Sequence, residues 1–191
     1  MTPPVFTLIA GANGAGKSTL TSGNPETFSP FPLLDPDKTS SPLSPAATSA
    51  IAAGREVLHL AENCLKRRES LTVETTLSGR NYLEMMLRAR TLGFEVVLVY
   101  IGTENVEINL QRIRQRVAAG GHDVPEADVR RRFRRSFDNL PLAAKRVSTL
   151  LFDNLSDHGY QLVGILSGSA VQWFEPLPKW ADALRANLCS R

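Results

Sequence analysis

The eight residues from Gly11 to Ser18 constrain this chain more than any other part of its sequence. They spell Gly-Ala-Asn-Gly-Ala-Gly-Lys-Ser, which fits the pattern G-x-x-x-x-G-K-[ST]. An apolar run at 5–10 precedes them, and a helix start follows. Glycines allow the backbone to fold its N–H groups around a phosphate without Cβ clashes, and the following helix N-terminus adds partial positive charge. The motif therefore predicts a phosphate-binding loop between a strand and a helix.

The predicted loop is expected to bind a nucleoside triphosphate, which we take to be ATP. Lys17 is expected to reach the β- and γ-phosphates, and the Ser18 hydroxyl to ligate Mg²⁺. The predicted ATP-binding residues are Gly11, Ala12, Asn13, Gly14, Ala15, Gly16, Lys17, Ser18 and Thr19. The alternative, a glycine-rich turn with an incidental lysine, does not account for the strand and helix on either side.

Composition indicates one ordinary globular domain spanning residues 1–191, because 42% of the residues are hydrophobic and 21% are charged. A net charge of +3 does not imply a membrane or nucleic-acid partner. Two cysteines exclude a disulfide framework and a four-cysteine zinc site, and they are typical of a reducing cytoplasm. The N-terminal Met-Thr-Pro-Pro does not resemble a signal peptide, and the longest apolar run, 96–101, is far too short for a membrane span.

Strand-like and helical segments alternate along the chain. Predicted strands cover 5–10, 32–35, 71–74, 94–101, 150–153 and 161–166, and predicted helices cover 46–68, 81–92, 105–119, 125–139 and 178–188. This alternation predicts an α/β three-layer P-loop fold with a mostly parallel central sheet. The proline-rich segment 23–45 is interpreted as a long functional loop that contains one short strand.

A phosphate-binding loop occurs in switch GTPases, motor ATPases and small-molecule kinases, so other residues must separate these classes. The chain has no Asn-Lys-x-Asp motif for reading a guanine base. Its best buried strand ends in Tyr100-Ile101-Gly102 without the acid that a motor ATPase uses for Mg²⁺. These absences favour a kinase.

A kinase needs a carboxylate that accepts the proton of the attacking hydroxyl. Asp35 and Asp37 follow the short predicted strand, and Asp37 is our candidate base. The alternative is that Asp-Pro-Asp only caps a turn, and the sequence pattern supports both interpretations equally.

Glu74 ends another predicted strand and is followed by Thr75 and Thr76. A carboxylate with clustered hydroxyls suits a polyhydroxy substrate such as a sugar. The same residues would also form a capping cluster ahead of the helix that begins near Asn81, and the two interpretations are equally supported.

The segment 109–146 carries ten lysines and arginines but only four acids. At 100° per residue, Arg112 and Arg116 lie together on one flank of an apolar stripe. In the next helix Arg131, Arg132 and Arg135 fall within one arc. Guanidinium groups match phosphate oxygens bidentately, so we predict an arginine-bearing helical lid at 105–147.

Two other interpretations of the arginines stay open. A solvated basic face is the commoner fate of a charge run, and a contact with nucleic acid phosphates is the third possibility. Phe133 and Phe137 lie on the apolar stripe rather than on a stacking platform, which disfavours nucleic acid as a partner.

Taken together, the motifs resemble the zeta toxin family of P-loop kinases, which includes UDP-N-acetylglucosamine kinase-like proteins. The matching segments span most of the chain in the right order. They are the loop at 10–19, Leu34-Asp-Pro-Asp37, Val73-Glu-Thr-Thr-Leu-Ser-Gly79, Gly120-Gly-His-Asp-Val-Pro125, Arg131-Arg-Phe-Arg-Arg-Ser136 and Leu151-Phe-Asp-Asn154. Lys38 departs from the pattern, because short relatives usually carry an acid there.

The resemblance implies ATP-dependent phosphoryl transfer to a hydroxyl of a sugar or nucleotide sugar, and an antitoxin protein as a possible partner. It implies that Asp37 is the catalytic base and that Glu74, with Thr75 and Thr76 beside it, holds the acceptor. Arg116 and Arg132 best match the pair that contacts ATP phosphates. Arg112, Arg131 and Arg135 are further lid candidates. Two alternatives to this kinase are a nucleotide-binding regulatory module with little transferase activity and a polynucleotide kinase.

Overall fold

Seven strands of the described residues form one sheet at the centre of the molecule. The structure, a computed structural model, describes residues 2–28, 31–36, 50–154 and 159–189, without the side chains of residues 50 and 51. The strands are β1 (Val5–Ala10), β2 (Leu33–Leu34), β3 (Leu71–Thr75), β4 (Glu95–Gly102), β5 (Ser148–Asp153), β6 (Gln161–Ser167) and β7 (Ala170–Trp173).

Helices flank this sheet. They are α1 (Lys17–Gly23), α2 (Pro25–Phe28), α3 (Ala50–Arg67), α4 (Asn81–Thr91), α5 (Val106–Ala118), α6 (Glu126–Ala144) and α7 (Lys179–Cys189). Within the described ranges, none of them combines the length and the apolar character needed to cross a bilayer.

The strand order is β2-β3-β1-β4-β5-β6-β7. The first five strands are parallel, whereas β6 and β7 are antiparallel additions at one edge. The chain leaves β1 toward β2 and β3 on one side and later returns to β4 on the other. The strand order therefore reverses beside β1. In open α/β sheets, ligands bind at such a reversal, at the carboxyl ends of the strands. The predicted P-loop fold with a mostly parallel sheet is therefore confirmed.

Both faces of the sheet are covered, because side chains of a strand alternate between its faces. On β1, Phe6 and Leu8 belong to a large core cluster that includes residues of α3, α4, α6 and α7. Ile9 points to the opposite face, where it packs with Leu20 and Phe28 of α1 and α2. This arrangement gives the three layers that the alternating sequence predicts.

The predicted lid is a pair of helices, α5 and α6. The Asn105 side chain caps α5 by accepting hydrogen bonds from the Glu107 and Ile108 amides. Leu110, Ile113, Val124 and Val129 form a small core of their own between the two helices. Arg130 bridges the pair through its ion pairs with Glu107 and Glu126. The helices therefore form one hairpin beside the loop.

The structure differs from the sequence prediction at three places. In the segment 23–45, predicted to be a loop with one short strand, residues Pro25–Phe28 form helix α2, whereas residues 29–30 and 37–45 lie outside the described residues. Helix α6 continues through Pro141 to Ala144 instead of ending at Asn139, because Leu140, Ala143 and Ala144 are buried in the core. The sequence analysis missed β7, which follows β6 through the two-residue turn at Gly168. Its residues are mostly exposed, so they lack the apolar pattern of a buried strand.

The close packing of β4 against α7 gives a stability prediction. A Cβ atom on Gly102 would lie 2.3 Å from Cε2 of the Trp180 ring. We expect Gly102→Ala to lower the free energy of unfolding by about 1–3 kcal/mol in urea denaturation, because the ring has to move. Gly54→Ala is the matched control. A Cβ at helical Gly54 meets nothing within 4 Å, so this variant should be unchanged or more stable, by up to about 1 kcal/mol. Equal loss in both variants would contradict the prediction.

Candidate active site

The loop from Gly11 to Gly16 turns between β1 and α1 at the carboxyl edge of the sheet. It packs tightly against the base of α5, because a Cβ on Gly14 would lie 2.6 Å from the Asn109 carbonyl oxygen. Gly14 also has φ +78°, in the left-handed region that favours glycine. The Lys17 Nζ donates to the carbonyl oxygens of Gly11 and Ala12, at 2.9 and 3.1 Å. The lysine therefore lies along the loop that it is expected to serve.

Glu74 lies beneath the start of α1. Parallel pairing of β1 and β3 sets Ile9 opposite Glu74, which carries the carboxylate to the loop. Glu74 is only 2% exposed and accepts hydrogen bonds from Ser18 Oγ at 2.8 Å and Thr21 Oγ1 at 2.7 Å. A hydroxyl paired with a carboxylate is a set of oxygen ligands that fits Mg²⁺.

A cavity of about 390 Å³ opens beside the loop on the side of α3 and β3. Its polar walls suit a polyhydroxylated molecule. The walls include the loop residues Asn13 and Lys17, the acids Asp35 and Glu74, the hydroxyls of Thr75, Thr76, Ser78 and Tyr82, and the cations Arg55 and Arg132. We call this space the acceptor cavity, after the role that we propose for it below.

Tyr82 keeps its proton in the acceptor cavity. Burial, with the Asp35 carboxylate as a smaller cause, raises the pKa of Tyr82 to about 12. Its hydroxyl is therefore neutral at physiological pH and able to donate a hydrogen bond to a ligand. Asp35 itself is 4% exposed, at the end of β2. Asp37, the predicted base, lies outside the described residues.

A second cavity, of about 510 Å³, opens on the other side of the loop. We call it the nucleotide cavity. It is lined by Asn13, Gly14, Gly16, Lys17, Ser18 and Thr19 of the loop and α1, by Arg112, Ile113 and Arg116 of α5, and by Asn154, Gly159 and Tyr160. Six of the nine predicted ATP-binding residues therefore line this cavity, whereas Gly11, Ala12 and Ala15 do not. Arg112 Nη1 and Arg116 Nε are buried donors without a hydrogen-bond partner among the described residues, and they suit an anionic ligand.

The structure separates the five candidate lid arginines. Arg112 and Arg116 line the nucleotide cavity, and Arg132 lines the acceptor cavity. Arg132 also donates to the Asn13 side-chain oxygen at 3.3 Å. Arg131 is exposed and pairs with Asp128, and Arg135 is exposed; both side chains lie outside the two cavities.

Several residues of the site carry no signal in the sequence. Asn109 donates to the Asn13 carbonyl oxygen at 2.7 Å, and Tyr160 donates to the Gly16 carbonyl oxygen at 2.6 Å. These partners are 96 and 144 residues apart along the chain, so no local spacing connects them. Tyr82 could have been suspected, because it lies only four residues after Ser78, the last of the polar residues that follow Glu74.

Comparison with known proteins places this geometry in a family. Residues 6–140 match the model of the AAA_33 family, an AAA domain. The chain belongs to the AAA_33 family. A related protein of Haemophilus influenzae, described only as uncharacterized, is 38% identical over 125 residues, which are 64% of this chain and 88% of the relative.

Solved structures with a fold similar to this AAA_33 domain include the AvrRxo1-ORF1:ORF2 complex, a toxin–antitoxin system and a sugar kinase. The AvrRxo1-ORF1:ORF2 complex with ATP has a TM-score of 0.67 and 17% identity over 97% of this chain, which spans only 63% of that protein. The PezAT chromosomal toxin–antitoxin system of Streptococcus pneumoniae has a TM-score of 0.61 and 18% identity, covering 98% of this chain and 87% of that one. A sugar kinase from Janibacter sp. HTCC2649 has a TM-score of 0.51 and 19% identity, covering 79% and 86%.

The buried Glu74 carboxylate gives a second stability prediction. Thr21→Val removes one of its donors at nearly constant volume, so we expect the free energy of unfolding to fall by about 1–3 kcal/mol in urea denaturation. Thr91→Val is the control, because the Thr91 hydroxyl is exposed and bonds only locally to the Arg88 carbonyl. That variant should change stability by less than about 0.5 kcal/mol. If the free energy of unfolding falls equally in the two variants, the hydrogen bond from Thr21 to Glu74 does not stabilise the fold.

Proposed function

We propose that the protein is an ATP-dependent kinase that transfers the γ-phosphoryl group to a hydroxyl of a sugar or nucleotide sugar. The observation that carries this proposal is that the two cavities share Asn13 and Lys17. A triphosphate lying along the loop from the nucleotide cavity would bring its terminal phosphorus to Lys17, at the edge of the acceptor cavity. A kinase requires such a meeting of donor and acceptor spaces.

The residues on the nucleotide side have distinct tasks in this proposal. The loop amides and Lys17 hold the β- and γ-phosphates. Arg112 and Arg116 approach from α5 with donors that are still available. Arg132 approaches from α6 and neutralises charge on the transferring group.

Ser18 and Glu74 would hold Mg²⁺ together, Ser18 as the ligand and Glu74 through the hydroxyl that it accepts from. The ion supplies charge neutralisation to the phosphates when it is bound. The family resemblance implies that Glu74 holds the acceptor, whereas this assignment gives Glu74 a role at the metal. Glu74 still lines the acceptor cavity, with Thr75 and Thr76 beside it.

On the acceptor side, a substrate hydroxyl oxygen attacks the γ-phosphorus, the bond between that phosphorus and the β–γ bridging oxygen breaks, and ADP leaves. The hydroxyl proton passes to a carboxylate, which we assign to Asp37. The hydroxyls of Thr75, Thr76 and Tyr82 suit a sugar ring. UDP-N-acetylglucosamine is the specific acceptor that the zeta toxin resemblance suggests, and an antitoxin protein is the partner that it suggests.

Replacement of one arginine tests the lid. Arg132→Met should lower kcat for phosphoryl transfer by about 10²–10³-fold, because it removes positive charge from the transferring group. Arg131→Met is the matched control on the same helix and should change kcat by less than threefold, since Arg131 is exposed and pairs with Asp128. Both rates are measured as ADP release in the presence of a hydroxyl compound that stimulates ATP consumption by the unmodified protein. Equal effects of the two substitutions would remove Arg132 from the transfer step.

Replacement of the proposed base tests the reaction class. Asp37→Ala should leave the Kd for ATP within about threefold of the original value and lower the transfer rate by at least about 10²-fold. ATP consumption is measured across nucleotide sugars and free sugars, and ATP binding by calorimetry. If no hydroxyl compound stimulates ATP consumption by the unmodified protein, the regulatory-module alternative is favoured. Transfer at an unchanged rate in Asp37→Ala would exclude Asp37 as the base.

A further inference from the structure

Three side chains donate hydrogen bonds to carbonyl oxygens of the phosphate loop. Asn109 of α5 donates to the Asn13 carbonyl oxygen at 2.7 Å. Asn154, directly after β5, donates to the Ala15 carbonyl oxygen at 2.8 Å, and Tyr160 donates to the Gly16 carbonyl oxygen at 2.6 Å. These donors come from α5 and from the two ends of the connection between β5 and β6, and they converge on one short loop.

A trans peptide unit is planar, with its carbonyl and its N–H on opposite sides. A donor that holds the carbonyl of one residue therefore also orients the amide of the next. Holding the carbonyls of Asn13, Ala15 and Gly16 aims the amides of Gly14, Gly16 and Lys17 in the opposite direction. These amides belong to the segment that lines the nucleotide cavity.

The donors are themselves fixed in place. Asn109 is completely buried, and its side-chain oxygen accepts from Thr103 Oγ1 at 2.5 Å. The Asn154 carbonyl accepts from Arg112 Nη2 at 2.8 Å. Burial raises the pKa of the Tyr160 hydroxyl, so Tyr160 stays protonated and able to donate at neutral pH.

The approach of these groups explains why position 16 is a glycine. A Cβ on Gly16 would lie 2.4 Å from Asn154 Nδ2 and 2.9 Å from the Tyr160 hydroxyl. A side chain there would push both donors off the loop. Gly16 also has φ +103°, which strains any other residue.

We propose that Asn109, Asn154 and Tyr160 are positioning residues that preorganise the loop amides for the phosphates of the nucleotide. This inference rests on the proposed nucleotide site. Asn154 and Tyr160 also line the nucleotide cavity, and in this proposal their effect on the phosphates passes through the loop backbone. Amides already aimed at an anion need no reorganisation when it binds, which strengthens binding.

Tyr160→Phe tests the proposal because it removes only one hydroxyl. We expect the Kd for ADP and the competition constant for inorganic pyrophosphate to rise together, by about three- to tenfold. Both are measured by displacement of a fluorescent ADP analogue at a temperature where the variant is fully folded. A higher Kd for ADP with unchanged pyrophosphate binding would mean that Tyr160 contacts the nucleoside, and this result would overturn the proposal. Unchanged binding of both ligands would overturn it as well.

Tyr100→Phe is the matched control for a purely structural effect. The Tyr100 hydroxyl is buried beside Ser136 Oγ at 3.0 Å, in the core cluster. This variant should lower Tm while leaving the affinity for ADP and pyrophosphate within twofold. A fall in affinity equal to that of Tyr160→Phe would show that general loosening of the fold explains both results.

Two further variants separate this inference from the proposed function. Asn154→Ala removes a second donor and should weaken ADP and pyrophosphate together, as Tyr160→Phe does. Lys17→Ala should abolish tight binding of both ligands if the loop binds phosphates at all. If Lys17→Ala loses affinity for ADP and pyrophosphate while Tyr160→Phe and Asn154→Ala keep it, only the positioning role is overturned. If Lys17→Ala binds both ligands with unchanged affinity, the nucleotide site itself is overturned.

Discussion

The buried carboxylate of Glu74 is the interaction on which the arrangement of the site depends. It joins β3 to α1 beneath the phosphate loop by accepting from Ser18 and Thr21. A carboxylate that is 2% exposed is stable only with donors around it, so it fixes the hydroxyls that approach it. The register of β1 and β3 decides that Glu74 is the residue in this place, and a shift by one residue would turn its side chain to the other face of the sheet.

The hairpin of α5 and α6 is attached to the phosphate loop. Asn109 of α5 and Arg132 of α6 both contact Asn13, one at the carbonyl and the other at the side chain. The loop is therefore hydrogen-bonded to both helices of the hairpin. The sequence analysis predicted an arginine-bearing helical lid at 105–147. The contacts at Asn13 join both helices of this segment to the loop, and the lid role itself stays a prediction.

Much of the fold could be predicted, because strands buried on both faces leave long apolar runs and helices leave amphipathic ones. The predicted bounds of most elements are right to within a few residues. The prediction ended α6 too early at Asn139, because proline disfavours a helical conformation locally, whereas burial of Leu140 and Ala144 stabilises the helix beyond it. Strand β7 was missed because an exposed edge strand has no such pattern.

The sequence by itself determined the phosphate loop, since its glycines, Lys17 and Ser18 are neighbours in the chain and act through local backbone geometry. It also pointed to an arginine-bearing helical pair. Only the tertiary structure decided that Arg132 faces the site and that Arg131 faces solvent, because adjacent helical residues differ by 100° and the rotation of α6 is set by its packing. The same holds for Tyr160, which contacts the loop through a pairing of residues 144 positions apart that no local pattern records.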